Sequence, residues 1–167
     1  LIWQKGGRVS GFLNAKRSPL RNHENILLFY EKQPTYNPQF TTGKPLHSKG
    51  TAYLTKKNIN NNYNCYKQGS DNRKGTTQKY PKSILNFERP HPAIHPTQKP
   101  IELCEYLIKT YSNENDTVLD PFVGSGTTAL ACKQTNRNFL ACERDPEYVK
   151  IANERLENWE SDLHCQK

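Results

Sequence analysis

Methionine is missing from all 167 residues, tryptophan occurs only twice, and the hydrophobic fraction is 34%. No apolar run approaches the roughly 20 residues of a bilayer-spanning helix, so a membrane-spanning helix is excluded. The first residues do not read as a signal peptide. Leu1 stands where a start methionine would, which sets the expectation that the native start lies upstream. The five cysteines (Cys65, Cys104, Cys132, Cys142 and Cys165) are odd in number and include no CxxC pair. A disulfide framework and a zinc site are therefore not expected, and the expected location is a reducing cytoplasm. His91 and His95 have the spacing of helical metal ligands, but Pro92 and Pro96 forbid that helix, so no metal is expected.

Acidic residues are scarce in one part of the chain only. Residues 1–99 hold 4 Asp and Glu against 17 Lys and Arg, whereas residues 100–167 hold 12 against 7. The net charge of +8 is thus concentrated in the first part. A basic part of this kind suits a polyanion partner, and an acidic part suits a ligand without phosphates. A solvated basic surface is the plainer alternative. The length corresponds to one domain or a large part of one.

The most informative stretch is Thr117-Val118-Leu119-Asp120-Pro121-Phe122-Val123-Gly124-Ser125-Gly126-Thr127-Thr128-Ala129. A β-type run from Thr117 to Leu119 breaks at Asp120-Pro121, two glycines follow, and a helix-compatible run continues through Gln134. Strand, glycine turn and helix form the opening of a Rossmann-like βα unit. The glycines permit a tight turn and a close approach of ligand to backbone. The helix amides then face that ligand. A second buried-looking run, Phe139 to Cys142, ends at Glu143. An acid roughly 20 positions beyond the first turn is where such folds hold ribose hydroxyls.

Gly124-x-Gly126-x-x-Ala129 also fits a relaxed dinucleotide fingerprint. Against that reading, Asp120 places a carboxylate where a pyrophosphate would be repelled, and Thr127 and Thr128 offer hydroxyls just inside the helix. A positively charged, phosphate-free nucleoside such as S-adenosylmethionine suits these residues better.

Elsewhere, Leu1-Ile2-Trp3 reads as the end of a strand, Ile26 to Tyr30 as a buried strand, and Ser83 to Phe87 as a strand returning to the sheet. Gly11 to Glu24 reads as a basic loop. Gln33 to Arg89 is irregular, punctuated by Pro and Gly, with an asparagine-rich patch at 58–64 and tyrosines interleaved among lysines and arginines. That composition fits contacts to phosphates and base edges, and equally a partly disordered polar linker. Cys104, Leu107, Ile108 and Tyr111 share a helix face, and Asp145-Pro146 reads as an N-cap followed by proline at the first helical position. The tail from Ser161 is expected to fray.

The run Asp120-Pro121-Phe122-x-Gly124-x-Gly126-Thr127-Thr128, preceded by His95-Pro96-Thr97-Gln98-Lys99-Pro100, resembles the cofactor motifs of the DNA amino-methyltransferases. These enzymes methylate adenine at N6 or cytosine at N4. The resemblance implies an α/β, Rossmann-like S-adenosylmethionine-dependent methyltransferase fold interrupted by an irregular DNA-recognition insert. It divides the chain into the end of a catalytic subregion (1–32), a target-recognition insert (33–90), a cofactor-binding subregion (91–160) and a tail (161–167). It implies that Asp120 faces the methionine amino group and that Phe122 walls the pocket. Gly124 and Gly126 would admit the ligand, Ser125, Thr127 and Thr128 would hydrogen-bond near its methionine end, Glu143 would hold the ribose, and Thr97 and Lys99 would close on the methionine carboxylate. Lys16, Arg17 and Arg21 become candidates for phosphate contacts with double-stranded DNA. Asn14 and His23 are read as hydrogen bonders that lock their loop. A homodimer and a cognate restriction nuclease are compatible with the resemblance, and the residues decide neither.

The family's Asp/Asn/Ser-Pro-Pro-aromatic tetrapeptide, which receives the flipped base, is absent from the sequence. It is expected before Leu1, and the chain alone is expected not to catalyse; no catalytic residue is inferred within it. Adenine is favoured over cytosine because Asn14 to Tyr30 resembles the adenine-specific members. A nicotinamide-dependent oxidoreductase and a non-catalytic DNA-binding module remain as alternatives.

Overall fold

The computed structural model describes residues 1–7, 9–45 and 76–165, with side chains described through residue 159. Its elements in chain order are β1 (Ile2–Gln4), a short 3-10 turn (Phe12–Asn14), β2 (His23–Asn25), β3 (Thr41–Thr42), β4 (Gln78–Lys79), β5 (Ile84–Asn86), α1 (Ile101–Tyr111), β6 (Thr117–Asp120), α2 (Thr127–Gln134), β7 (Asn138–Ala141) and α3 (Pro146–Cys165). The chain divides into a larger compact unit, Leu1–Gln39 with Lys82–Lys167, and a smaller one, Phe40–Pro81. In the smaller unit β3 pairs antiparallel with β4, and the Phe40 and Tyr80 rings pack at 5.0 Å. The asparagine-rich patch and the basic and tyrosine positions between 46 and 75 lie outside the described residues.

In the larger unit β1 is the centre of a three-stranded sheet, antiparallel to β2 and parallel to β5. β6 and β7 form a parallel pair joined through α2, the βαβ arrangement expected from the glycine stretch. α1 serves both sheets, because residues three and four apart share a helix face. Leu103, with Tyr106 and Leu107, joins Trp3 and Leu85 in one core cluster. Ile108, with Cys104, joins Ala131, Cys132, Val118 and Phe139 in the other. Full burial of each such side chain is worth about 1.5–3 kcal/mol, so α1 is the apolar joint of the unit.

Two readings of apolar runs need correction. Ile26 to Tyr30 is not a buried strand. The strand is His23–Asn25, and its ladder ends where Leu1 and Ile26 exchange backbone hydrogen bonds at 2.8 Å. Beyond Ile26 no described strand runs alongside, and Leu27 to Tyr30 are exposed. The run Phe139 to Cys142 is a strand covered on one face only. Val118 and Phe139 face the core, while their register neighbours Leu119 and Leu140, paired with each other, are 66% and 63% exposed. Alternation across a pleated strand accounts for this, since successive side chains point to opposite faces.

Helix boundaries follow local chemistry. Pro100 is the N-cap of α1, one position earlier than a first-turn proline, with extended backbone. The Asp145 carboxylate accepts the Glu147 amide at 2.9 Å, and Pro146 opens α3. Both features match the N-terminal signals in the sequence. α3 continues through Cys165, within the segment read as tail. Among the described residues no helix is long and apolar enough to cross a membrane.

Candidate functional site

The site is built on the turn between β6 and α2. The Asp120 carboxylate accepts the Phe122 amide at 3.0 Å, and the Val123 amide donates to the Cys142 carbonyl at 3.0 Å. These bonds pin the turn to its own strand and to the end of β7. Gly124 and Gly126 then take positive φ, 55° and 81°, and Gly126 is the N-cap of α2. A side chain would be strained at either position. At Gly126 the space is also taken: a Cβ there would sit 2.8 Å from the Cβ and 3.0 Å from the Cα of Ala152 on α3. At Gly124 it would meet the His95 Nε2 at 3.4 Å, an ordinary contact.

A cavity of about 240 Å³ opens over this turn. It brings together Thr97, Lys99, Asp120, Phe122, Gly124, Ser125, Thr127 and Thr128, eight of the ten residues read as cofactor-binding. His95, Gln98 and the already named Thr97 and Lys99 line the same cavity, as the family resemblance implied for their segment. Phe122 is 86% exposed at the cavity edge. The other two of the ten do not line it. Gly126 lies beneath, against α3. Glu143 is joined to the turn through Oε2, which accepts the Gly124 amide at 2.9 Å. Its Oε1 accepts the Arg144 and Asp145 amides at 2.8 and 2.9 Å. These amides, Asp145 foremost, hold the carboxyl below its usual range. Each oxygen of an ionised carboxylate has two lone pairs, so the amides orient the group and leave it able to accept from a hydroxyl.

Further contributors were not among the residues read as cofactor-binding. His95 packs on Tyr148 with ring centroids 4.2 Å apart. The Thr97 amide donates to its Nδ1 at 3.2 Å, which leaves any ring proton on Nε2, the nitrogen facing Gly124. Arg155 reaches back from α3, its guanidinium donating to the Ser125 carbonyl and contacting the Ser125 and Thr127 hydroxyls at 3.4 and 3.3 Å. The two hydroxyls are therefore shared with an arginine on a distant helix. In the sequence Tyr148, Ile151, Ala152 and Leu156 read as one side of the closing helix, which includes Tyr148 and Ala152 but not Arg155.

A second cavity of about 270 Å³ shares the Thr97 to Lys99 wall. Its lining includes Trp3, Lys5, Arg21, His23, Glu24, Arg89 and Lys99. Glu24 accepts Lys5 at 2.7 Å and Lys99 at 3.0 Å, so the Lys99 amine is tied to a carboxylate of β2. Both ammonium groups also lie 5.7 Å from the Trp3 ring, within the range of cation–π attraction. Burial acts to raise the Glu24 carboxyl, but the hydrogen bonds and charges of the two lysines outweigh it and its pKa lies below the usual 4.5. Of the three basic residues read as phosphate contacts, Arg21 lines this cavity, whereas Lys16 and Arg17 are exposed on the loop and line neither. His23 bonds its chain neighbour Asn22 through Nδ1 at 3.0 Å. Tyr36 packs against Tyr111 at 6.3 Å.

Two outcomes are expected. Gly126→Ala adds a Cβ at positive φ and against α3, a combined cost of about 2–5 kcal/mol. Gly124→Ala carries only the backbone part, about 1–2 kcal/mol. Urea unfolding of the two variants side by side measures the difference. Glu24→Gln lowers the melting temperature at pH 7. Because the native Glu24 pKa is depressed from 4.5, its contribution is complete above the unfolded pKa and is lost as pH falls through the native value. The gap between wild type and Glu24→Gln therefore narrows below about pH 4.5 in a thermal-melt series.

Residues 1–154 match the family model described as DNA methylase, with the short name N6_N4_Mtase. The chain is 40% identical over 97 residues to the type II methyltransferase M.HpaI of Haemophilus parainfluenzae, covering 48% of this chain and 31% of that protein. It is 51% identical over 63 residues to M2.DpnII of Streptococcus pneumoniae, 38% of this chain and 24% of that one. Similarity to M.XycI of Xanthomonas campestris pv. cyanopsidis runs over 164 residues at 30% identity, 98% of this chain and 45% of that protein. A solved M1.HpyAVI–SAM complex is 45% identical and covers 45% of this chain and 39% of that one, with a TM-score of 0.41. The chain thus spans less than half the length of each of these relatives. With a family match over nearly its whole length, and with the Rossmann-like α/β fold that its β6–α2–β7 unit displays, the chain belongs to the N6/N4 DNA methylase family.

Proposed function

We infer that the cavity over the glycine turn takes S-adenosylmethionine, and that the activity served is methyl transfer to the exocyclic amino group of a base flipped out of double-stranded DNA. N6 of adenine is the favoured acceptor over N4 of cytosine. The observation that carries this reading is the meeting of the His95–Lys99 segment and the Asp120–Thr128 turn around a single cavity. Those are the two segments whose order and spacing resemble the family's cofactor motifs.

The residues present suit that ligand. Asp120 offers a carboxylate to an ammonium and would repel a pyrophosphate. Two positive-φ glycines bring backbone close to the ligand. Glu143, oriented by three amides, keeps one lone pair with which to accept from a ribose hydroxyl. Ser125, Thr127 and Thr128 bound the methionine end, with Arg155 fixing the first two. Phe122 walls the opening. Thr97 and Lys99 lie opposite, where they can close on a carboxylate, although Lys99 must then share its charge with Glu24. When bound, S-adenosylmethionine supplies an electrophilic methyl carbon. The residues of this chain hold it in place, orient it and restrict water, and such positioning is a large part of the barrier reduction in transfer reactions.

The tetrapeptide that receives the flipped base is absent from these 167 residues. The transfer step accordingly needs a group from other polypeptide, and the chain alone binds cofactor without turning over. The basic segments 1–32 and 33–90, with Lys16, Arg17 and Arg21, form the DNA side of the reading.

Calorimetric titration of S-adenosylmethionine into the chain tests it. Glu143→Ala should weaken binding roughly 10- to 100-fold, the loss expected for hydrogen bonds to a charged acceptor. Glu143→Gln, which keeps one acceptor oxygen, should weaken it less. Equal affinity in all three proteins, or preference for NAD in competition, would refute the assignment.

A further inference from the structure

We propose that the second cavity is a phosphate site, holding the DNA backbone beside the nucleotide presented to the cofactor cavity. The proposal rests on the reading of the neighbouring cavity as the methyl-donor site. The charge balance of its lining is the first argument. Even with Lys99 given over to the cofactor's carboxylate, Lys5, Arg21 and Arg89 face a single carboxylate, Glu24. Glu24 is divided between the two lysines at 2.7 and 3.0 Å. One carboxylate cannot neutralise both ammonium groups, still less the two guanidinium groups.

Burial sharpens the point. Lys5 is only 5% exposed, and lysines are rarely buried so deeply unless paired. Its partner is shared with Lys99, and the remaining lining offers Trp3, whose ring face attracts cations but carries no charge. Each ammonium has three donors and each guanidinium five, so donor capacity is left over in the space between them. An anion with several acceptor oxygens and a localised charge satisfies that arrangement, and phosphate suits the arginine forks in particular.

Position identifies which phosphate. The two cavities share the wall Thr97-Gln98-Lys99. Three residues span at most about 10 Å, which is the scale of a single nucleotide. A base delivered toward one cavity therefore leaves its own backbone at the other. Arg21 reaches the site from the Ser10–Arg21 bridge at the foot of the basic loop, and Arg89 from the segment after β5. The loop and the cofactor wall are thus brought onto one strand of DNA.

The test is fluorescence anisotropy of the 167-residue chain with a labelled duplex of about 20 base pairs across a salt series, alongside cofactor titration of the same proteins. Arg89→Gln and Arg21→Gln should each weaken DNA binding to a similar degree on any sequence and reduce the slope of log affinity against log salt by about one. Lys150→Gln, on the exposed side of α3 and lining neither cavity, should leave the slope unchanged. Cofactor affinity should be unaffected in all three. Slopes for both arginine variants equal to that of Lys150→Gln, or no DNA binding by the parent chain, would overturn the phosphate site. Loss of cofactor affinity in the arginine variants would overturn it too, by assigning the cavity to the cofactor. Reduced slopes in the arginine variants of a chain that itself binds no S-adenosylmethionine would leave the phosphate site standing and remove the cofactor reading instead.

Discussion

The close approach of α3 to the glycine turn is the constraint on which the larger unit depends. Gly126 can touch Ala152 because neither side carries more than a methyl group, and the backbone of Gly126 is left-handed at that point. This contact lets Arg155 reach the Ser125 carbonyl and the two hydroxyls beside it. It also places Tyr148 where His95 can pack on it. One steric fact thus sets the floor of the cavity over the glycine turn and anchors a residue of its lining. The network of amides around Glu143 is its counterpart on the β7 side.

A second organising interaction lies in the other sheet. Glu24 joins Lys5, at the end of β1, to Lys99, at the approach to α1. The ion pairs join β1 and β2 to the segment that lines both cavities. They rest on Trp3, whose indole N–H donates to the Phe87 carbonyl at 2.8 Å. The linings of the two cavities are therefore coupled through a few polar contacts, and of the ion-paired side chains only Lys5 is buried, with α1 supplying the apolar link between the two sheets. In such an arrangement a charge brought into one cavity acts on Lys99 and so on the wall of the other.

The glycine turn, its strand and its helix were legible in the sequence because their chemistry is local. Glycine at left-handed positions, proline after Asp145 and the alternation of apolar residues act within a few residues of themselves. The eight cavity residues lie in the turn and in the segment before it, and they were named from the family resemblance that those two segments carry. Arg155 and Glu24 could not, since each meets its partners only after the chain has folded back, across 30 positions for Arg155 and Ser125 and 75 for Glu24 and Lys99. The apolar run Ile26 to Tyr30 misled for a related reason. Hydrophobicity records a preference for burial, but whether a neighbouring strand is present to bury it is a property of the fold. The uncovered faces of Leu119 and Leu140 make the same point within a correctly identified pair of strands.

The central claim is that the two motif segments enclose S-adenosylmethionine in a defined orientation. The most direct measurement is an isotope-edited NMR experiment on the 167-residue chain with labelled S-adenosylmethionine. The account predicts nuclear Overhauser contacts from the ribose protons to the Gly124 and Glu143 region and from the methionine end to Thr128 and Thr97. A ligand that binds in the reverse orientation, or that shows contacts to neither segment, would contradict it.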